Sequence, residues 1–382
     1  MARDEVLIAG AGPVGMALAL ALSQAGVAAR LLDARARGAA QRDPRVLALS
    51  YGSRQILERL GVWPQIRSTP IETIHISQQG AFGRTVIRAA DYRLPALGYV
   101  ADAGGIAAAL DAALAARGIE PQCATRVENV AAGADDAIVS VSGDAGAATI
   151  SARLVAHAEG AANAHGRLVE RDYGQQAIIT VAHSVEPFRT TAYERFTGGG
   201  PLALLPHQGG YAVVYTVPTE QAQSILGLSD ADFLEILQRH FGTRLRFARA
   251  GPRTAFPLAL RLRPNPIAER CVWLGNAAQT LHPVAGQGFN LALRDVWSLA
   301  ELLRENAGGD AGSPALLARY AAARRIDRGG TIGFTDNLIR LFGSANPLLS
   351  AARGGGLALL DILPPLRAFV AKRMIFGARA WP

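Results

Sequence analysis

Apolar residues follow two rhythms along this chain, and the alternation between them divides it. Near the N-terminus "VLIAG", a glycine turn, the apolar stretch "MALALALS" and "ARLLD" predict strand, turn, helix and strand over 5–33. Helical spacing returns over 53–62 and 104–118, the second ending at the helix-stopping Gly118. Then come "AIVSVSG", "ARLVAHA", "QAIITVAHSV", "LALLP" and "YAVVYTVP", short runs bounded by turn residues and spaced like an antiparallel sheet. From Asp230 the helical rhythm resumes in "ADFLEILQRHF", "FNLALRDVWSLAELLREN" and "PALLARYAAARRI", with "GGDAGSP" at 308–314 as a loop between the last two. The predicted organisation is interleaved, without an internal repeat or a long linker.

Composition narrows this picture without changing it. The 382 residues are 50% hydrophobic and 18% charged, a globular balance sufficient for one large or two interleaved cores. Cys123 and Cys271 are too few for a disulfide framework, and no His/Cys cluster stands at metal-ligand spacing, so a reducing cytoplasm and no metal are expected. Nothing resembles a secretory leader, and no apolar run reaches the roughly 18 residues of a transmembrane helix. The net charge of +8 comes from scattered arginines, with Lys372 the only lysine and no aromatic-interleaved basic patch, which argues against a nucleic-acid partner. The C-terminal "LALLDILPPLRAFVAKRMIFGARAWP" differs. Its Leu, Ile, Phe and Trp interleaved with Arg367, Lys372, Arg373 and Arg379 suit an amphipathic helix resting on an anionic surface or a partner, or a terminal helix packed on the core.

Two glycine-rich stretches carry the candidate chemistry. Gly10, Gly12 and Gly15 form G-x-G-x-x-G between an apolar strand and an apolar helix, and the next strand ends in Asp33. In that context the first glycine makes a tight turn, the second lets a pyrophosphate approach the backbone, and the third lets helix and strand pack closely, while Asp33 accepts ribose hydroxyls. An acidic residue there disfavours a 2′-phosphate, leaving FAD or NAD. The second stretch, "GNAAQTLHPVAGQGFN", decides for FAD, because a flavin must also be gripped far from its adenosine, where a helix N-terminus stabilises the charge gained on reduction.

Beyond these motifs the chain resembles the flavoprotein aromatic hydroxylases and, within them, the ubiquinone-biosynthesis hydroxylases of the 2-polyprenyl-6-methoxyphenol type. "DPRVLALSYGSRQILERLGVW", "AYERFTGGGPLALLP" and "HPVAGQGFNLALRD" carry the likeness, which runs nearly end to end. The resemblance implies an α/β fold in which a Rossmann-like FAD domain of the glutathione-reductase type (1–75, 104–175 and 262–310) is interleaved with an antiparallel-sheet substrate domain (76–103 and 176–261), followed by C-terminal helices over 311–382. It also implies that Gly10, Gly12, Gly15, Asp33, Arg45 and Val127 bind the dinucleotide of a non-covalent FAD. Gly275, Asn276, Pro283, Gly286, Gln287, Gly288 and Asn290 would then surround its ribityl chain and ring.

The chemistry so implied is that of a monooxygenase: NAD(P)H reduces the flavin, O2 adds at its C4a carbon, and one oxygen passes to a prenylated phenol. Membership of a ubiquinone-biosynthesis assembly, and a contact at the inner face of the cytoplasmic membrane through the C-terminus, follow from the same likeness. An FAD-dependent reductase or dehydrogenase on this fold, and a non-catalytic flavin-binding subunit, remain as alternatives. His282 and Pro283 are expected to position backbone near the reacting ring, and His157 and His165 to face solvent. Tyr193, Glu194 and Arg195 are expected on a strand facing the flavin or its interface. Two departures from the family pattern stand out: Ala292 in place of a glycine, and "LVAHAEGAANAHGR" at 154–167, where Glu159, Asn163 and Gly166 replace aspartate, serine and arginine unless Arg167 takes the last role.

Overall fold

The computed structural model describes residues 3–144, 146–160, 168–342 and 347–379. β1 (Arg3–Ala9), α1 (Pro13–Gln24) and β2 (Ala29–Leu32) form the first unit, followed by β3 (Val46–Ser50), α2 (Tyr51–Arg59), β4 (Ser68–Ile71), β5 (Thr73–Gln78), β6 (Arg84–Arg88) and β7 (Gly98–Asp102). Next come α3 (Ala103–Ala115), β8 (Thr125–Ala132), β9 (Ala137–Gly143) and β10 (Gly146–His157). The middle of the chain holds β11 (Val169–Ser184), β12 (Thr191–Thr197), β13 (Gly200–His207), β14 (Gly210–Pro218), α4 (Thr219–Leu226), α5 (Asp230–Phe241), β15 (Phe247–Ala250) and β16 (Thr254–Leu262). The short strands β17 (Ile267–Ala268), β18 (Cys271–Trp273) and β19 (Gln279–Thr280) precede α6 (Gln287–Glu305), α7 (Pro314–Phe342), α8 (Pro347–Ile362) and α9 (Pro364–Phe376).

The first sheet is a parallel core in the order β18-β10-β1-β2, extended by β17 and by the antiparallel β8 and β9. Its strands are apolar on both faces, as a sheet covered on both sides requires. Val6, Leu7 and Ile8 are all inaccessible. α1 is apolar around its whole circumference, and its leucines join one cluster with α3 and α6, so it is a core helix and not an amphipathic one.

The second sheet has nine strands in the order β19-β16-β11-β14-β13-β12-β5-β6, with β15 on β11, and it is antiparallel apart from the β5–β12 pair. One face packs α4 through Ala222 and Ile225, and α5 through Phe233, Leu237 and Phe241. The other faces α7 and α8, as the Phe196–Phe342 ring stack shows. β3, β7 and β4 make a small third sheet near the seam.

Three expectations shift. "ARLVAHA" is part of β10 and pairs in parallel with β1 and β18, because its alternation is overridden by burial on both faces. β11 belongs to the second sheet from Val169, and β19 brings residues 279–280 into it, so the sheet reaches beyond 176–261 on both sides. The C-terminal apolar segment forms two helices bent by 97° rather than one. Pro364 and Pro365 open α9 because proline lacks the N–H that would continue α8. Among the described residues no single helix is long and apolar enough to cross a membrane.

Candidate active site

Both glycine-rich stretches end in helices whose first turns face one cavity. α1 begins at Gly12 and α6 at Gly286; neither has a side-chain cap or an acid in its first turn. By contrast, Ser50 caps α2 and Ser229 caps α5 by accepting a backbone N–H. Uncapped first turns leave N–H groups free and carry the positive end of the helix dipole, a setting for an anion.

The individual glycines separate by what surrounds them. A Cβ on Gly15 would lie 1.8 Å from the Gly10 carbonyl oxygen, and one on Gly10, at φ +102°, 2.6 Å from that of Ala158, so the protein's own packing demands both. A Cβ on Gly12 would meet nothing nearer than Arg35 Nη2 at 3.9 Å, and one on Gly288 nothing within 4 Å. These two keep open space that the fold does not need.

Asp33 directly follows β2 beside this opening. Its Oδ2 accepts the Ala11 N–H at 2.7 Å, and Arg35 grips both carboxylate oxygens through Nε and Nη2 at 3.0 and 2.9 Å. Burial raises its pKa, but the bonds and charge of Arg35 outweigh that and hold the carboxyl below its ordinary value. A recess lined by Ala11, Asp33, Arg37 and Cys123 adjoins it, and Arg35, Ala39 and Ala40 line both this recess and the main cavity.

The main cavity encloses about 950 Å³. It runs from Gly12, Arg45 and Glu159 past the loop Gly275–Asn290 to the second sheet, where Ile74, Ile76, Phe196, Leu205 and Val214 form its wall. Leu338 of α7, Leu357 of α8 and Met374 of α9 close the far side.

Comparison with known proteins identifies the family and its cofactor. A family model described as an FAD binding domain matches residues 3–328. The chain belongs to this FAD-binding family. It is 32% identical over 381 residues to the ubiquinone hydroxylase UbiL of Rhodospirillum rubrum, covering 95% of this chain and 87% of that one. It is also 32% identical over 380 residues to 3-demethoxyubiquinol 3-hydroxylase of Escherichia coli, covering 92% and 95%. Among solved structures, p-nitrophenol 4-monooxygenase from Pseudomonas putida superposes with a TM-score of 0.78 over 99% of this chain and all of that one, at 18% identity, which speaks for the fold.

The residues present fit FAD. Two uncapped helix N-termini, the unfilled space at Gly12 and Gly288, and the carboxylate of Asp33 are the donors, room and acceptor that a dinucleotide and a flavin ring need. Asn276 reaches the cavity surface with no hydrogen-bond partner among the described residues, so its amide is available to a ligand. Asn290 is not. Its Oδ1 accepts the Ser50 N–H and its Nδ2 donates to the carbonyls of Ala48 and Gly286, clamping β3 against the flavoprotein's second glycine turn. Gln287 likewise donates to the Ala285 and Met374 carbonyls and so reaches α9.

Of the remaining candidates, Gly275, Pro283 and Gly286 line the cavity, and Arg45 does so while forked onto Asp43. Val127 stands apart on β8, where its side chain packs against the cluster holding Leu32 and Val139. His282 is buried. Its Nδ1 accepts the Val284 N–H at 3.1 Å, and burial pushes its pKa down to about 4, so the ring is neutral with its proton on Nε2. His157 does not face solvent: it is buried, stacks on Trp273 at 5.0 Å and holds Glu159 through Nδ1, because β10 continues into the parallel sheet where both faces are covered. His165, Asn163, Gly166 and Arg167 lie outside the described residues. Among those described, no group of His, Cys, Asp or Glu is placed to hold a metal ion.

What the sequence did not signal is the C-terminal lining. Leu357 and Leu360 of α8, and Val370 and Met374 of α9, belong to the cavity, although they read only as an apolar, arginine-bearing terminal segment, and Arg353, just before that segment, lines it too. The i, i+4 spacings 353/357 and 370/374 are the one trace of a shared face.

Proposed function

We propose that this flavoprotein is a monooxygenase that hydroxylates a polyprenylated phenol of ubiquinone biosynthesis, using NAD(P)H as transient electron donor and O2 as oxygen source. The observation that carries the reading is the continuity of the cavity, which joins the dinucleotide turns to an apolar chamber walled by Ile74, Ile76, Leu205 and Val214 and closed by α7, α8 and α9. The names of the two relatives, ubiquinone hydroxylase UbiL and 3-demethoxyubiquinol 3-hydroxylase, support the substrate class.

Bound FAD supplies the electron transfer and the oxygen activation. The chain's own residues do the rest. The first turns of α1 and α6 bind and orient the cofactor; the apolar wall excludes water, which would divert reduced oxygen to peroxide. Gly356, at the exposed edge of α8 and on the cavity lining, leaves an exit beside Leu357 and Leu360 for a long apolar tail. Each methylene buried there contributes about 0.8 kcal/mol. Anaerobic reduction by NADH or NADPH, then addition of O2 and a prenylated phenol, should give a product one oxygen atom heavier. Reoxidation with an unchanged phenol would favour the reductase alternative, and a protein that takes up no FAD would defeat the reading altogether.

The membrane contact is a second part of the proposal, favoured by the α8–α9 elbow. Ile362 and Phe369 are 71% and 64% exposed there, with Leu363 and Leu366 between them and Arg367 and Arg373 alongside. Such a surface suits the anionic inner face of the cytoplasmic membrane. Ile362→Asp with Phe369→Asp should abolish sedimentation with anionic vesicles and leave FAD content intact. Wild-type protein that ignores vesicles but binds another protein of a biosynthetic assembly would assign the elbow to that partner.

A further inference from the structure

Among the described residues, three of the cavity lining carry a buried polar atom with no hydrogen-bond partner: Glu194 Oε1, Thr280 Oγ1 and His282 Nε2. They differ in what they offer. The neutral His282 presents an N–H at Nε2, since its Nδ1 is occupied by the Val284 N–H, and so it donates. A threonine hydroxyl is no base at any accessible pH. Only Glu194 can take a proton.

Its placement sharpens the contrast. On β12 it stands between Ile76 of β5 and Ala203 of β13, and along its own strand between Ala192 and Phe196 on the same face. With Ile74, Leu205 and Val214 nearby, it is, among the described residues, the single carboxylate that the second sheet contributes to the cavity wall, Tyr193 being the sheet's other ionisable lining residue. The strand neighbours alternate to the other face: Tyr193 packs on Phe241 and Tyr211, Arg195 bonds the His240 carbonyl and Ser77 Oγ, and His75 lies against Tyr193. From the opposite elements the cavity lining brings His282, in the second glycine loop, and Arg353 of α8, which donates to the Phe342 carbonyl, while Arg35, Arg42, Asp43, Arg45 and Glu159 also line it. Asp336 of α7 is held by Arg171 and Tyr173. A charge-bearing group kept unpaired in an apolar wall costs stability, and such groups persist where a ligand uses them.

We infer, resting on the hydroxylase reading above, that Glu194 is the catalytic residue that accepts the proton of the substrate's phenolic hydroxyl. The phenol O–H bond breaks, the proton passes to Oε1, and the electron pair stays on oxygen and spreads into the ring, which makes a ring carbon a stronger nucleophile. After the ring has gained its oxygen and that carbon has released its hydrogen to water as a proton, the product phenolate takes the proton back from Glu194. This step moves a proton only; the oxidant and reductant are the O2 and NAD(P)H of the proposed reaction. Burial pushes the Glu194 carboxyl up to about 8, which brings it far nearer to a phenol than an ordinary glutamate is.

The test compares wild type, Glu194→Gln and Glu194→Asp, all loaded with FAD. Glu194→Gln should bind a prenylated phenol as the wild type does, and Glu194→Asp should recover part of the rate that Glu194→Gln loses. Donor-driven flavin reduction should be unchanged in Glu194→Gln while hydroxylation falls by roughly 100-fold or more. Wild-type hydroxylation should rise through about pH 8, where the carboxyl ionises, and the glutamine variant should lack that limb. Equal rate and pH profile in wild type and Glu194→Gln would overturn the assignment and leave the hydroxylase reading standing. A wild-type enzyme with no such limb would overturn it without any variant. Wild-type protein that reduces its FAD yet neither binds nor hydroxylates a prenylated phenol would instead remove the hydroxylase reading, and this proposal with it.

Discussion

At one end of the cavity Gly12, with Gly10 and Asp33 beside it, comes from one β-α-β unit, whereas the far end draws Ile76, Glu194, Leu205, Leu357 and Met374 from five elements. The near end works through backbone: turns, free N–H groups and the absence of side chains. The far end works through which face a side chain takes. Backbone chemistry is written in short motifs of glycine and acid at fixed spacing; a wall of Ile, Leu and Val is written only in the packing of distant segments.

The largest effect should come from confusing the two kinds of glycine. Gly12→Val is expected to fold, since its Cβ meets only open space and the tip of Arg35, but to bind no FAD because the new side chain fills that space. Gly15→Val should fail earlier, as its Cβ would strike the Gly10 carbonyl at 1.8 Å. Far-ultraviolet circular dichroism together with flavin absorbance separates a folded, colourless protein from an unfolded one. A yellow Gly12→Val protein would show that the pyrophosphate does not pass there.

A second experiment breaks the link between the ends. Asp295 of α6 and Arg324 of α7, each with a side chain 2% exposed, bond at 2.6 Å; Asp295 also takes Gln279 of β19. Arg324 continues to Asp327, which Arg294 also holds and which accepts the Ala378 N–H just past α9. Burial would raise the Asp327 carboxyl, but Arg294 and Arg324 hold it at about 2. Its contribution is therefore full above the ordinary carboxylate range and lost as pH falls toward 2. Asp295→Ala strands a buried guanidinium short of one partner and should cost about 3–5 kcal/mol in denaturant unfolding. A loss below 1 kcal/mol would mean that Asp327 alone satisfies Arg324.

This difference also decides what could be read beforehand. The first strand-turn-helix-strand unit and its glycine fingerprint are legible because each is a local rule: a turn that only glycine makes, a helix that must start there, an acid just after the next strand. The length of β11 was not, since "VERDYG" has the polar composition of a loop and pairs only because β16 lies beside it. His157 misled for the same reason: its neighbours look like an ordinary alternating strand, and only the placement of β10 between β1 and β18 buries it. The glycine loop named Asn276 and Asn290 together, yet the structure leaves the amide of one open to the cavity and spends the other on Ser50, Ala48 and Gly286. Sequence spacing cannot distinguish an amide that holds a ligand from one that holds the loop.

Glu194 is where the far end sacrifices stability, and that gives a smaller, measurable effect. Its carboxyl is ionised in the unfolded chain above the ordinary glutamate range but stays protonated in the folded one up to about pH 8, so the folded state loses ground as pH rises between those values. Glu194→Gln should therefore stabilise the protein, by about 3 kcal/mol at neutral pH, with the gain vanishing below pH 4 and levelling off above 8. A pH-independent difference in unfolding free energy would mean that Glu194 is not desolvated, and would place it in a wet part of the cavity.

The smallest effect returns to Asn276, which stands on the cavity surface in the turn Gly275–Ala277 with its amide unclaimed. An amide can bond ribityl hydroxyls as donor and acceptor; a carboxylate there would bond them too, while adding a negative charge beside a cofactor that gains one on reduction. Two unit charges roughly 7 Å apart at an effective dielectric near 20 repel by about 2 kcal/mol. For a two-electron couple that is roughly 50 mV. Asn276→Asp should thus keep its FAD but show a lower flavin potential and slower reduction by NAD(P)H, whereas Asn276→Leu, which can form no such bond, should lose the cofactor. Spectroelectrochemistry reads the outcome directly. An unchanged or raised potential in the aspartate variant would make Asn276 a packing residue like Asn290, and would leave the uncapped first turn of α6 to set the charge balance of the flavin alone.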